Sequence, residues 1–129
     1  MIEVNNCTKT RINSSHLRRV ASYVLLKEGK KGSGLSIAIV GQTRSRALNV
    51  RYRKKNKPAS VLSFQEPEFG AGEIVICPEE VRNSAKKYDI LFEQAMTWMV
   101  IHGVLHLLGY THSKEAMQEK ETAYLSHFK

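Results

Sequence analysis

Apolar side chains along this chain recur at two distinct periods, and the alternation between them outlines the fold. Residues 1–6 read as a short strand. Asn13, Ser14 and Ser15 offer an N-cap, and Leu17, Val20, Ala21, Val24 and Leu25 then follow at helical spacing. The Gly-Lys-Lys-Gly-Ser-Gly run of residues 29–34 breaks that helix, and residues 35–40 form a β-rich run closed by glycine. Thr43 is the expected cap of a second helix with Ala47, Leu48 and Tyr52 on its apolar face, closed by Pro58. Residues 60–64 and 73–77 read as strands around a loop with Pro67, Gly70 and Gly72. Pro78, with Glu79 and Glu80 behind it, opens a further helix. Residues 90–109 form the most apolar helix, and Ser113 with Glu115 opens a last amphipathic one.

This order, β-α-β-α-β-β-α-α-α, predicts an α+β fold: a small mixed four-stranded sheet packed with helices. Two helical crossovers predict parallel neighbours among the first three strands, and the loop between the third and fourth permits an antiparallel pair. With 129 residues and 42% hydrophobic content, the chain is expected to form one domain over residues 1–129. Met96, Trp98 and Met99 are expected in the core, and His16 and His127 at the surface or in caps.

The N-terminus lacks the basic and apolar regions of a signal peptide. The longest uncharged apolar stretch, residues 95–108, is too short to span a bilayer. Cys7 and Cys77 sit in no C-x-x-C pair. A reduced, cytoplasmic protein is therefore expected, with no membrane association and no disulfide-linked partner.

The net charge of +8 is confined to one third of the chain. Between Glu28 and Glu66 there are nine cations and no acid. Seven of the nine lie between Arg44 and Lys57. Such a cluster suits the phosphates of a nucleic acid. Arg46, Arg51, Lys54, Lys55 and Lys57 are the candidate RNA-binding residues.

The segment Ile101-His102-Gly103-Val104-Leu105-His106-Leu107-Leu108-Gly109-Tyr110-Thr111-His112 carries the chemistry. His102 and His106 lie four apart and share one helix face. Gly109 can stop the helix and return the chain, so that His112 becomes a third ligand. Three neutral imidazoles with an open position form the layout of a catalytic zinc site, one ion per chain. Metzincin proteases share the spacing H-x-x-x-H-x-x-G-x-x-H but place a glutamate base after the first histidine. Here that position is Gly103, which argues against peptide hydrolysis.

The histidine segment resembles the H-G-x-L-H-L-x-G-Y-D-H signature of the YbeY-type endoribonucleases, or rRNA maturation factors. Residues 48–53 and 58–64 resemble the family's L-N-x-x-Y-R … P-T-D-V-L-S-F, and residues 72–76 its G-D-I-x-I strand. The resemblance implies a zincin-like α+β fold, with the metal site on the central C-terminal helix. It also implies a zinc-dependent endoribonuclease of the single-strand type that acts in small-subunit rRNA maturation and ribosome quality control. RNA and the ribosome are then the partners. His102, His106 and His112 match the zinc ligands, and Arg53 matches an essential arginine, read here as an electrostatic clamp on the phosphate. The sequence departs from the family pattern at three places: Thr111 and Ala59-Ser60 replace acidic motifs, and Glu73 replaces aspartate. Two other readings fit parts of the pattern. One is a non-catalytic ribosome-assembly factor with a structural zinc; the other is a metalloprotease-like hydrolase.

Overall fold

A computed structural model of the chain describes residues 1–66, 70–110 and 114–128. The elements follow the predicted order: β1 (Ile2–Asn6), α1 (Ser14–Lys27), β2 (Leu35–Ile39), α2 (Gln42–Arg53), β3 (Val61–Phe64), β4 (Gly72–Ile76), α3 (Pro78–Lys87), α4 (Phe92–Leu107) and α5 (Lys114–His127). Asn13 caps α1 as expected, its Oδ1 accepting from the His16 N–H at 3.1 Å. Pro78 opens α3 with Glu79 and Glu80 in the first turn. Gly109 ends the α4 segment at a φ of 101°, a left-handed conformation that favours glycine. Ser113 and the loop residue Pro67 lie outside the described residues.

The sheet order is β1-β2-β4-β3. β1 pairs with β2 and β2 with β4 in parallel, whereas β3 runs antiparallel to β4. The expectation that the first three strands are parallel neighbours therefore fails at the third. The physical reason is that α2 carries the chain past the β4 position to the far edge, and β4 then returns into the slot between β2 and β3.

Strand alternation separates two cores. Leu35, Ile37, Ile39, Ile74 and Ile76 face the larger one, which contains α1, α3, α4 and α5 residues. Ala38, Val75, Leu62 and Phe64 face a smaller one with Leu48 of α2. The helix α2 thus lies across the sheet from the other four. Its buried face is not the expected one. Ser45 and Asn49 are buried, Leu48 is half-buried, and Ala47 and Tyr52 are exposed. The buried polar pair clamps the chain leaving α2. The Ser45 hydroxyl donates to the Ala59 carbonyl at 2.9 Å and accepts from the Ala59 N–H at 2.8 Å. Asn49 Nδ2 donates to the Lys57 carbonyl at 2.8 Å.

Met96 and Met99 are buried as expected, but Trp98 is only half-buried. His16 is half-buried as well, with Nε2 2.9 Å from Thr97 Oγ1. His127 is exposed and stacks on Tyr23 at 3.9 Å. Among the described residues, no single helix is long and apolar enough to cross a membrane.

Candidate active site

The edge position of β3 creates the site. With a partner on one side only, β3 leaves a margin where α2, on one face of the sheet, and α4, on the other, approach a common cleft. The β3 margin is tied to α4 by side chains: Ser63 Oγ donates to the Gly103 carbonyl at 3.1 Å, and Gln65 Nε2 donates to the Leu107 carbonyl at 3.1 Å. A cavity of about 880 Å³ opens there. Arg44, Tyr52 and Arg53 line it from α2, Ser63 and Phe64 from β3, and His102 and His106 from α4.

The two histidines are brought together by the helical repeat. Their ring centroids lie 4.5 Å apart. His102 Nδ1 donates to Glu121 Oε1 at 2.5 Å. Glu121 belongs to α5 and is buried. A carboxylate on Nδ1 fixes the ring orientation and leaves Nε2 free as a lone-pair donor, the usual arrangement behind a metal-ligating imidazole. Burial lowers the pKa of His106, and its interactions with His102 and Arg53 depress it further against the opposing pull of Glu121. The neutral imidazole that results is the ligating form. His112 lies outside the described residues, and among those described no three His, Cys, Asp or Glu side chains form a metal-sized group. Two imidazoles, one backed by a carboxylate, nonetheless have the donor chemistry of a zinc site.

Glu121 is not among the residues expected from sequence, although a signal is present. Met117, Glu121 and Tyr124 occupy one buried stripe of α5, so a carboxylate stands where the helical pattern calls for an apolar residue.

A second anchor lies behind the α4 terminus. Tyr110 donates to Glu28 Oε1 at 2.5 Å, Tyr124 donates to Glu28 Oε2, and Lys120 Nζ lies 3.2 Å from the same carboxylate. Burial pushes the Glu28 carboxyl up, but these three donors outweigh it and hold it below the usual carboxylate range. The turn that leads from α4 towards residue 112 is thereby fastened to α1 and α5.

Gly103 has a steric role. A Cβ there would lie 2.9 Å from Ile74 Cγ2 and 3.0 Å from Ile74 Cδ1, and Ile74 is fully buried. The position where the metzincin motif carries its base has no room for a side chain. Glu73 lines the main cavity and accepts from Ser36 Oγ at 3.3 Å.

The cations divide between two sides of the cleft. Arg44 and Arg53 line the main cavity, and Arg53, Lys55 and Lys57 line an adjoining groove. Arg46, Arg51 and Lys54 are exposed but line neither. None of the seven forms an ion pair with another described residue. Arg44, absent from the expected site residues, reaches the cavity because it shares a face of α2 with Leu48 and Tyr52, which follow at four-residue spacing and also line it. Arg53 is the last residue of that helix, and Lys54 follows at a φ of 57°, so the chain reverses as soon as the guanidinium has been presented.

An α+β sheet with helix-borne imidazoles and an arginine meeting over its open edge defines the class of this protein. The chain belongs to the endoribonuclease YbeY family, whose model matches residues 3–129. It is 32% identical to the endoribonuclease YbeY of Aquifex aeolicus over 93% of this chain and 83% of that protein. It is 33% identical to that of Thermodesulfovibrio yellowstonii over 98% and 95%. The solution structure of a Thermotoga maritima protein superposes with a TM-score of 0.70 at 32% identity, covering 97% of this chain and 87% of the other.

Proposed function

We propose that this chain is a zinc-dependent endoribonuclease that cleaves single-stranded stretches of ribosomal RNA in the cytoplasm, serving small-subunit rRNA maturation and ribosome quality control. The observation that carries the reading is the convergence of Arg53 from α2 with His102 and His106 from α4 on one cavity. Family membership supports the endoribonuclease part of it.

His102 and His106, with His112 as the third ligand, would hold the zinc. When bound, the ion supplies Lewis acidity towards a phosphoryl oxygen and makes a nearby water a better nucleophile at neutral pH. The remaining work belongs to the chain. Glu121 keeps the His102 ring oriented through Nδ1. Arg53 offers a planar fork of N–H donors to the oxygens on which negative charge grows as the phosphodiester is attacked. Arg44 adds positive charge along the cavity wall and holds the backbone of the strand. Gly103 keeps α4 pressed to the sheet, so these groups stay at one margin.

The test is cleavage of single-stranded and ribosomal RNA by the purified protein, beside an Arg53→Ala variant of matched metal content. The variant is expected to keep its zinc and lose about 100-fold or more in rate, the usual cost of removing one transition-state donor. Equal rates would remove the clamp. An absence of cleavage by the unaltered chain would leave the non-catalytic RNA-binding reading.

A further inference from the structure

The groove that adjoins the cleft holds about 520 Å³ and shares Arg53, Val61 and His102 with the main cavity. A strand that passes the histidines therefore has a continuous path into it. Beyond those three residues the lining changes character. Lys55 and Lys57 come from the α2 exit, Lys87 from the end of α3, and an aromatic pair, Tyr88 and Trp98, forms one wall. The two rings meet edge to face with centroids 5.2 Å apart and an interplanar angle of 84°. Tyr88 is 54% exposed, a position that leaves much of a large ring open beside Trp98 and the Lys87 ammonium, 5.5 Å from its centroid. Glu80 is the one carboxylate among the lining residues, and it is occupied by the amides of Gln42 at 2.9 Å and Asn83 at 3.4 Å. Ala59 and Ser60 also line the groove, so the position where the Thr-Asp motif carries an acid adds no negative charge here.

We propose that this groove is a subsite for a nucleotide flanking the cleaved bond, in which one RNA base stacks on the Tyr88–Trp98 pair while Lys55, Lys57 and Lys87 hold the adjacent phosphates. The proposal rests on the endoribonuclease reading. Cations around exposed aromatic faces are what a single strand requires, because the phosphates need positive charge and the unpaired bases need π surfaces. A peptide would use the lysines but has no recurring flat ring to cover Tyr88. Stacking tolerates any base, so the subsite contributes affinity and register and little sequence preference.

Trp98 is the chain's only tryptophan, so its emission reports on the groove alone. The experiment titrates the full-length protein with a short oligoadenylate and with an abasic ribose-phosphate strand of equal length. Tryptophan emission and the anisotropy of an end-labelled strand are followed in parallel. The oligoadenylate is expected to quench Trp98 saturably, and the abasic strand to bind more weakly without quenching. Tyr88→Ala should weaken oligoadenylate binding about tenfold, leave the abasic strand unaffected, and keep its thermal midpoint because the ring is exposed. Tyr88→Phe should restore the affinity. The subsite is overturned if oligoadenylate binds and is cleaved while Trp98 emission stays constant at saturation, if both strands quench equally, or if Tyr88→Ala binds like the unaltered chain. If anisotropy detects no RNA binding at all, the endoribonuclease reading falls and takes the subsite with it.

Discussion

Glu121 shows how much one residue outside the motif contributes to the site. Its carboxylate accepts the His102 Nδ1 proton from inside the α5 packing surface, where an unpaired charge would be costly. Removing it frees the ring to rotate and lowers the basicity of Nε2. Glu121→Gln is expected to weaken zinc binding about 10- to 100-fold while the fold survives. Competition with a calibrated chelator measures this, and unchanged affinity would separate Glu121 from the site. The histidines themselves are legible in the sequence because a four-residue repeat on a helix leaves their placement little freedom. Their carboxylate partner is not, because its distance from His102 depends on how α5 docks, which no local pattern encodes.

At the scale of elements, the close approach of α4 to the sheet depends on a missing side chain. Gly103→Ala would force a methyl against the buried Ile74 and is expected to cost about 1–3 kcal/mol. A urea or thermal melt checks this, and a neutral result would mean the Ile74 side chain has room to turn aside.

The α1–α4 contact should also respond to acid. His16 donates from Nε2 to Thr97 Oγ1, whose own proton goes to the Glu93 carbonyl at 3.0 Å. Burial lowers the His16 pKa, Arg19 lowers it further, and Glu93 opposes them. The folded state therefore favours the neutral ring. Its contribution is complete above the unfolded value of 6.5 and is lost as the pH falls from there through the lower folded value. His16→Gln, compared under chelation, should lose less thermal stability than the unaltered chain between about pH 7 and pH 5. Parallel losses would exclude His16 from the acid response.

Elements are the most legible level of the sequence, and their order matches throughout. The exceptions within them fall in α2, where Gly41 and not Thr43 takes the N-cap position and where apolar spacing suggests the Ala47–Tyr52 face. The structure instead buries Ser45 and Asn49, because the chain leaving the helix needs polar anchors for its backbone. Strand adjacency fails at β3 because a helix-length connection fixes neither the number of strands crossed nor the direction of the next one.

For the whole molecule, the unevenness of the charge acquires a location. The acid-free third of the sequence supplies α2 and its exit, and the fold sets part of that cation set along the cleft and groove beside the histidines. Lys55 and Lys57 belong to that path, whereas Arg46 lines neither cavity. A Lys55→Gln, Lys57→Gln double variant should reduce the slope of log affinity against log salt for single-stranded RNA by about 1.4, roughly 0.7 for each phosphate no longer neutralised. Arg46→Gln should leave the slope nearly unchanged. Equal slopes in all three proteins would mean that the groove does not track the backbone.

The central claim is that the imidazole pair and Arg53 form one RNA-cleaving zinc centre. It is tested most directly by stripping the protein with a chelator and returning zinc stepwise while cleavage of single-stranded RNA is followed. Activity is expected to vanish on stripping, to return in proportion to zinc up to one equivalent per chain, and to stay absent in a His106→Ala variant. Full-rate cleavage by the stripped protein, or equal recovery in the variant, would contradict it.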